Sequence, residues 1–181
     1  NMSKKILVIS TSLRNGSNSD ILADEFTKGA IEAGNEVQKI NLKDKTIAFC
    51  KGCLACQHTK KCVINDDAVK IFETIKDVDV VLWATPVYYY NMSGQMKTLI
   101  DRLNPLFVSN YKFKDVYLIA TAAEADETAI NGTVTGLKGW IECLDKTNLK
   151  GIIKAVGVCN AKDVNNFKNY LSKAYEMGKA V

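Results

Sequence analysis

The chain has 181 residues, 47% of them apolar and 24% charged, with a formal net charge of +4. That length supports one domain with a full core and excludes two of ordinary size, and the near-average composition excludes repeat, collagen-like and linker-dominated chains, so residues 1–181 are read as one unit. The mild positive charge is spread without a basic stripe and the apolar runs are too short to cross a bilayer, which leaves no footprint for nucleic acid or membrane.

Residues 4–10, KKILVIS, form a continuous apolar run suited to a central parallel strand covered on both faces. After a polar segment, 11–19, Leu22, Phe26, Ala30 and Ala33 recur at helical spacing, with Gly34 placed to end the helix. A more polar strand over 37–42 belongs at a sheet edge. Helix 66–76 opens on an Asp-Asp pair, strand 78–84 is again apolar, and helix 93–103 sets Lys97 and Asp101 to pair on its surface. Strand 116–122, a glycine-interrupted helix within 126–146, strand 152–158 and helix 164–177 complete the chain.

Five strands alternating with helices predict an α/β three-layer sandwich around a five-stranded parallel sheet. The flavodoxin-like order 2-1-3-4-5 is the natural arrangement. Ligands of such sheets sit beyond the carboxyl ends of the strands at the switch point, so the loops after Ser10, Ala84 and Ala122 should converge there.

The first of these loops offers the hydroxyls of Thr11, Ser12, Ser17 and Ser19, the amide of Asn18 and the charge of Arg14, just before a helix N-terminus. Backbone N–H groups and the helix dipole there favour an anion. The spaced glycines of a dinucleotide site and the Gly-Lys-Ser/Thr ending of an NTPase loop are both absent, so a monophosphate suits it better; a polar turn with a good N-cap is the plainer reading. The second loop, TPVYYYNMSG over 85–94, places three tyrosines and Pro86 where a loop is normally polar. Their rings can take a planar heterocycle, or serve in core or subunit contacts. Asp126 and Glu127 in the third loop read as helix-terminal charges rather than acid–base groups.

Four of the six cysteines, Cys50, Cys53, Cys56 and Cys62, fall within thirteen residues as C-x2-C-x2-C-x5-C. The N-terminus shows no leader-like segment, and a cytoplasmic, reducing setting is the expectation. There such a cluster holds a metal or performs redox chemistry sooner than it builds disulfides. Cys143 and Cys159 are read as small buried hydrophobes, and His58 as a solvated loop residue.

The segments STSLRNGSNS, CKGCLACQHTKKCVINDD and ATPVYYYNMSGQMKTLIDR, in this order and spacing, resemble the NADPH-dependent FMN reductase branch of the flavodoxin-like superfamily, and especially its iron-sulfur flavoproteins. The resemblance implies that Ser12, Arg14, Ser17, Asn18 and Ser19 bind the FMN phosphate. It further implies that Pro86, Val87, Tyr88, Tyr89 and Asn91, with the Thr121 loop, border the isoalloxazine. It likens Cys50, Cys53, Cys56 and Cys62, in a loop 50–62 inserted after the second strand, to a [4Fe-4S] ligand set, with Lys51, Lys60 and Lys61 to offset its charge. Redox-active thiols and structural zinc are the other readings of that loop.

The resulting expectation is an FMN-dependent oxidoreductase that takes electrons from NAD(P)H and gives them to a quinone, flavin, nitro or azo compound, or to a redox protein. No protein nucleophile or acid–base pair is required, because the cofactor carries the hydride chemistry. By the resemblance a second subunit completes the pocket, in a homodimer or homotetramer. The alternatives are an iron-sulfur electron carrier and a flavin-binding module without turnover.

Overall fold

In the computed structural model, which describes residues 2–181, the first apolar run is β1 (Lys5–Ser10). It pairs in parallel with β2 (Glu36–Asn41) on one side and with β3 (Val80–Tyr88) on the other. Having neighbours on both edges and helices on both faces explains why Ile6, Leu7, Val8 and Ile9 are all buried and why no polar alternation is seen. β5 (Asp115–Thr121) pairs with β3, and β6 (Asn148–Ala155) closes the far edge. The order β2-β1-β3-β5-β6 is the expected 2-1-3-4-5 arrangement of parallel strands.

One strand was not foreseen. The loop after β3 folds back as β4 (Asn91–Met92), pairing antiparallel with the end of β3 through Val87 with Met92 and Tyr88 with Asn91. β6 also begins at Asn148 rather than at 152, because its first half lies on the exposed sheet edge and carries no apolar run.

The helices divide into two layers. α1 (Asn18–Glu32) and α6 (Lys168–Lys179) cover Ile6, Val8, Leu82 and Ile119. On the opposite face α3 (Asp67–Ile75), α4 (Gly94–Arg102) and α5 (Asn131–Glu142) cover Leu7, Ile9, Trp83 and Leu118. A one-turn helix, α2 (Cys56–Thr59), lies in the cysteine segment. Lys97 and Asp101 pair at 2.6 Å across one turn of α4, as their spacing predicts. Among the described residues no helix is long and apolar enough to cross a membrane.

α1 and α6 approach so closely that glycine is required at their crossing. A Cβ on Gly29 would lie 2.0 Å from the Tyr175 carbonyl oxygen, and one on Gly178 would lie 2.0 Å from that of Phe26. Gly29→Ala should therefore lower stability by about 2 kcal/mol through overpacking, despite a helix-propensity gain of about 1 kcal/mol. Gly139→Ala in α5, where an added Cβ meets nothing within 4 Å, should instead be neutral or stabilising. Urea midpoints of the two variants check this, and equal effects would contradict the close crossing. Of the two glycines that interrupt the helical pattern of α5, Gly132 answers the same need, since a Cβ there would stand 2.2 Å from the Tyr90 carbonyl oxygen; at Gly136 it would meet only the movable Met92 Cε, at 2.9 Å.

Candidate functional site

Ser17 ends the first loop as the N-cap of α1, its hydroxyl accepting from the Asp20 N–H at 3.3 Å. The remaining first-turn N–H groups of α1 have no intrahelical acceptor. Gly16, at φ 67°, turns the chain into this cap. The loop is tied to its neighbour: the Thr11 hydroxyl donates to the Ala84 carbonyl at 2.9 Å and lies 3.0 Å from the Ser93 hydroxyl. Ser93 in turn caps α4, accepting from the Met96 N–H, while its own N–H donates to the Thr85 hydroxyl at 3.0 Å. These bonds fix the loops after β1 and β3 side by side at the carboxyl edge of the sheet.

Between them lies a cleft of about 240 Å³. Of the eleven residues that the resemblance implies in FMN binding, Ser12, Arg14, Ser17, Asn18, Pro86, Val87, Tyr88 and Thr121 line it. Three others do not. Ser19 is buried with its hydroxyl 3.0 Å from that of Ser17, Asn91 turns its side chain back to accept from the Met92 N–H at 2.8 Å, and Tyr89 is wholly exposed. Asn18 lines the cleft, but its side chain is engaged elsewhere, donating to the Asn160 carbonyl at 2.9 Å and accepting from the Val164 N–H at 3.0 Å. What Asn18 offers an anion is the N–H of its backbone.

The loop after β6, which sequence reasoning left out, supplies the remaining wall. Val158 and Cys159 line the cleft beside Ala123, and the Cys159 carbonyl accepts from the Arg14 guanidinium at 2.6 Å. Asp163 holds that loop by accepting from the N–H groups of Cys159 and Asn160. The strand-end rule applied to the last strand, together with Gly157 and the N-A-K-D turn behind it, carried the signal. Cys159 is thus exposed at the lip of the cleft and Cys143 is exposed at the end of α5, so neither is the buried hydrophobe expected.

The lining of the cleft is of two chemical kinds. Arg14, Ser12, Ser17 and the start of α1 suit an anion, while Pro86, Val87, Ala123 and Val158 are apolar. Asp20, in the first turn of α1, would repel an anion were it unpaired. Lys39 meets it at 2.7 Å and also meets Asp24 at 2.6 Å. Burial acts to raise the Asp20 pKa, yet hydrogen bonds and charge from Lys39, with help from Asn41, hold it below the usual carboxylate value. A phosphorylated, planar heterocycle suits this combination.

Beside the cleft, the β3–β4 hairpin turns through Tyr89 and Tyr90, with φ of 48° and 62°. Two successive positive φ values are the type I′ geometry that normally selects Asn-Gly, and a residue with a Cβ pays about 1–2 kcal/mol at each position. The close approach of Gly132 to the Tyr90 carbonyl holds the turn from behind.

The cysteine segment is anchored by a group that the sequence reading did not single out. Arg102, at the end of α4, is buried, and its guanidinium meets both Asp66 carboxylate oxygens at 2.8 and 2.9 Å. It also donates to the carbonyls of Ala48 at 2.8 Å and Ile64 at 3.0 Å, one on each side of the cysteines. All six cysteines are free thiols. Cys50, Cys53, Cys56 and Cys62 line one small cleft of about 40 Å³ with Arg102, Asn104 and Pro105. Amide N–H groups from Gln57 and Asn104 stand 3.5 Å from the Cys56 sulfur, and the Gly52 N–H stands 3.4 Å from that of Cys50. The four thiols are not drawn into a ligand sphere, and among the described residues no group of three or more His, Cys, Asp or Glu side chains is set to hold a metal ion. His58 is exposed, as a solvated residue should be.

Residues 4–143 match the family described as NADPH-dependent FMN reductase, and the chain belongs to that family. It is 37% identical over 101 residues to an iron-sulfur flavoprotein of Archaeoglobus fulgidus, a match covering 56% of this chain and 46% of that one. It is 35% identical over 111 residues to an iron-sulfur flavoprotein of Methanosarcina thermophila, covering 61% and 58% respectively. The chain therefore spans about half the length of the curated relatives it matches. Among solved structures, an NAD(P)H:quinone oxidoreductase from Methanothermobacter marburgensis is similar with a TM-score of 0.75, over 98% of this chain and 96% of that one, at 14% identity. That likeness concerns the flavodoxin-like fold alone.

Proposed function

We propose that the protein is an FMN-dependent NAD(P)H oxidoreductase that delivers electrons to a small-molecule acceptor of the quinone class. The observation that carries this reading is the cleft at the carboxyl edge of the sheet, whose lining combines Arg14 and the start of α1, suited to an anion, with the apolar Pro86, Val87 and Val158. When bound, FMN supplies the redox chemistry, taking hydride from the nicotinamide and passing two electrons on. The balance is NAD(P)H, a proton and a quinone going to NAD(P)+ and a hydroquinone. The chain's own residues would bind and orient it: Arg14, Ser12, Ser17 and the N–H group of Asn18 would hold the phosphate, while the apolar residues would keep water from the ring. A cytoplasmic setting and a second copy of the chain at the mouth of the cleft belong to the same reading.

A second reading, the iron-sulfur electron carrier, is supported by the convergence of Cys50, Cys53, Cys56 and Cys62 on one cleft furnished with N–H donors to sulfur. The cysteine loop would have to close further around a cluster than it does here. Anaerobic purification followed by flavin, iron and zinc determination separates the readings. One flavin without metal, with steady NAD(P)H oxidation when a quinone is added, is the result expected of the reductase. About four irons with acid-labile sulfide per chain would transfer the assignment to the carrier. Flavin binding without turnover would overturn both in favour of a binding module.

A further inference from the structure

One peptide unit of the loop after β6 stands between two side chains of opposite charge. Its N–H, that of Asn160, donates to a carboxylate oxygen of Asp163 at 2.7 Å, and its carbonyl, that of Cys159, accepts from the Arg14 guanidinium at 2.6 Å. A trans peptide is planar and points its N–H and C=O in opposite directions, so holding one end aims the other. The Cys159 N–H donates to the same Asp163 oxygen at 3.0 Å, which holds the preceding unit as well. The loop is also docked by bonds that do not involve the Asp163 carboxylate. The Lys162 N–H donates to the Gly16 carbonyl at 2.8 Å, and the Asn18 side chain donates to the Asn160 carbonyl and accepts from the Val164 N–H. Those bonds place the loop against the start of α1, and Asp163 sets the direction of the one carbonyl that Arg14 meets. Among the described residues that carbonyl is the only hydrogen-bond partner of the Arg14 guanidinium.

We infer that Asp163 is a positioning residue for the cofactor phosphate, acting through the peptide between Cys159 and Asn160 to hold the Arg14 guanidinium in the cleft. The proposal rests on the FMN reading and deepens it by naming what orients its phosphate-binding cation. Arg14 is an exposed side chain with a long, rotamer-rich stem, and an unanchored guanidinium would meet a phosphate only after losing that freedom. With one N–H engaged by the Cys159 carbonyl, the rest of the planar fork is left for an anion. The charge of Asp163 works the other way, since a carboxylate near an anion site repels the ligand. The two roles make opposite predictions. Acting by charge alone, Asp163 would weaken FMN binding and its removal would tighten it; acting by position, its removal loosens FMN and spares riboflavin, which has no phosphate.

The test titrates FMN and riboflavin by fluorescence into flavin-free, full-length wild type, Asp163→Ala, Asp163→Asn, Arg14→Ala and the Arg14→Ala/Asp163→Ala double variant, all at one salt concentration. Asp163→Ala should lower the preference for FMN over riboflavin about three- to tenfold, the span of one hydrogen bond. Riboflavin binding in the same variant reports that the rest of the cleft is intact. Both N–H groups go to one carboxylate oxygen, so Asp163→Asn removes the charge and keeps an acceptor for them. Its preference should stay within about twofold of wild type or move toward FMN. In the Arg14→Ala background, Asp163→Ala should change the preference by less than about twofold, because no guanidinium is left to position. An unchanged or raised preference in Asp163→Ala overturns the proposal, as does an equal loss of both flavins, which would make Asp163 a general support of the loop. A loss in Asp163→Asn as large as in Asp163→Ala would assign the effect to charge, and an undiminished loss in the Arg14→Ala background would detach it from Arg14; either result also overturns the proposal. A wild type that binds FMN no better than riboflavin removes the phosphate site itself and this proposal with it.

Discussion

Arg14→Ala is expected to weaken FMN binding by about 10- to 100-fold while changing riboflavin binding by less than about threefold, since a charge-assisted hydrogen bond contributes about 1.5–3 kcal/mol and only FMN carries the phosphate. Arg14 donates to the Cys159 carbonyl at 2.6 Å and is otherwise open to the cleft, so its planar fork can keep that bond and still meet an anion. The effect should shrink as salt is raised, because Arg14 is exposed. Fluorescence titration of both flavins against both proteins measures it. Equal losses for FMN and riboflavin would place Arg14 away from the phosphate.

The largest stability effect is expected at Asp66. Removing its carboxylate in Asp66→Ala leaves the buried Arg102 guanidinium without its counter-charge, which typically destabilises by about 3–5 kcal/mol. Replacing both partners, as in Asp66→Ala with Arg102→Met, should recover much of that loss, because the unpaired charge is then gone. Denaturant unfolding of the two singles and the double gives the coupling directly. The pH dependence has a definite sign. Burial acts to raise the Asp66 pKa, but the Arg102 hydrogen bonds and the N–H groups of Ala48 and Ala68 outweigh it and hold the pKa below its ordinary value of 3.8. A carboxylate so depressed contributes stability that is complete above the ordinary value and is lost as pH falls through the depressed one. The wild type should therefore lose stability on acidification in a range where Asp66→Ala shows a flatter profile. Because Arg102 also holds the carbonyls of Ala48 and Ile64, breaking the pair should loosen the segment between them and speed alkylation of the half-buried Cys56 and Cys62.

Much of this arrangement is legible in the sequence for physical reasons that vary by element. β1 and β3 read clearly because strands covered on both faces must be apolar throughout, and α1 reads clearly because one face is buried and its end is marked by Ser17 and Asn18. The start of β6 carries no apolar signal, because an edge strand can begin with polar residues such as Asn148 and Lys150. β4 is not legible because a turn built on Tyr89 and Tyr90 carries none of the Asn-Gly signature that announces such hairpins; tertiary support at Gly132 substitutes for it.

The site divides in the same way. Local motifs supplied Ser12, Arg14, Ser17 and the stretch from Pro86 to Tyr88, all of which line the cleft. Asn18 and Asn91 were chosen by residue type, but the fold spends their side chains on the loop after β6 and on the hairpin itself. Val158, Cys159 and Arg102 could not be found by motif because their roles come from long-range contacts, to Arg14 in one case and to both flanks of the cysteine segment in the other. The spacing of the cysteines conveyed their proximity, and all four do line one small cleft. It did not convey that their present arrangement stops short of a metal-binding group.

The most direct test of the central claim, that the loops at the carboxyl edge of the sheet form a cradle for FMN, is a fluorescence-quench titration of flavin-free protein with FMN and, separately, with riboflavin. Saturable quenching at one FMN per chain, with riboflavin bound distinctly more weakly, is the predicted result. No saturable quenching, or the same affinity for both flavins, would contradict it.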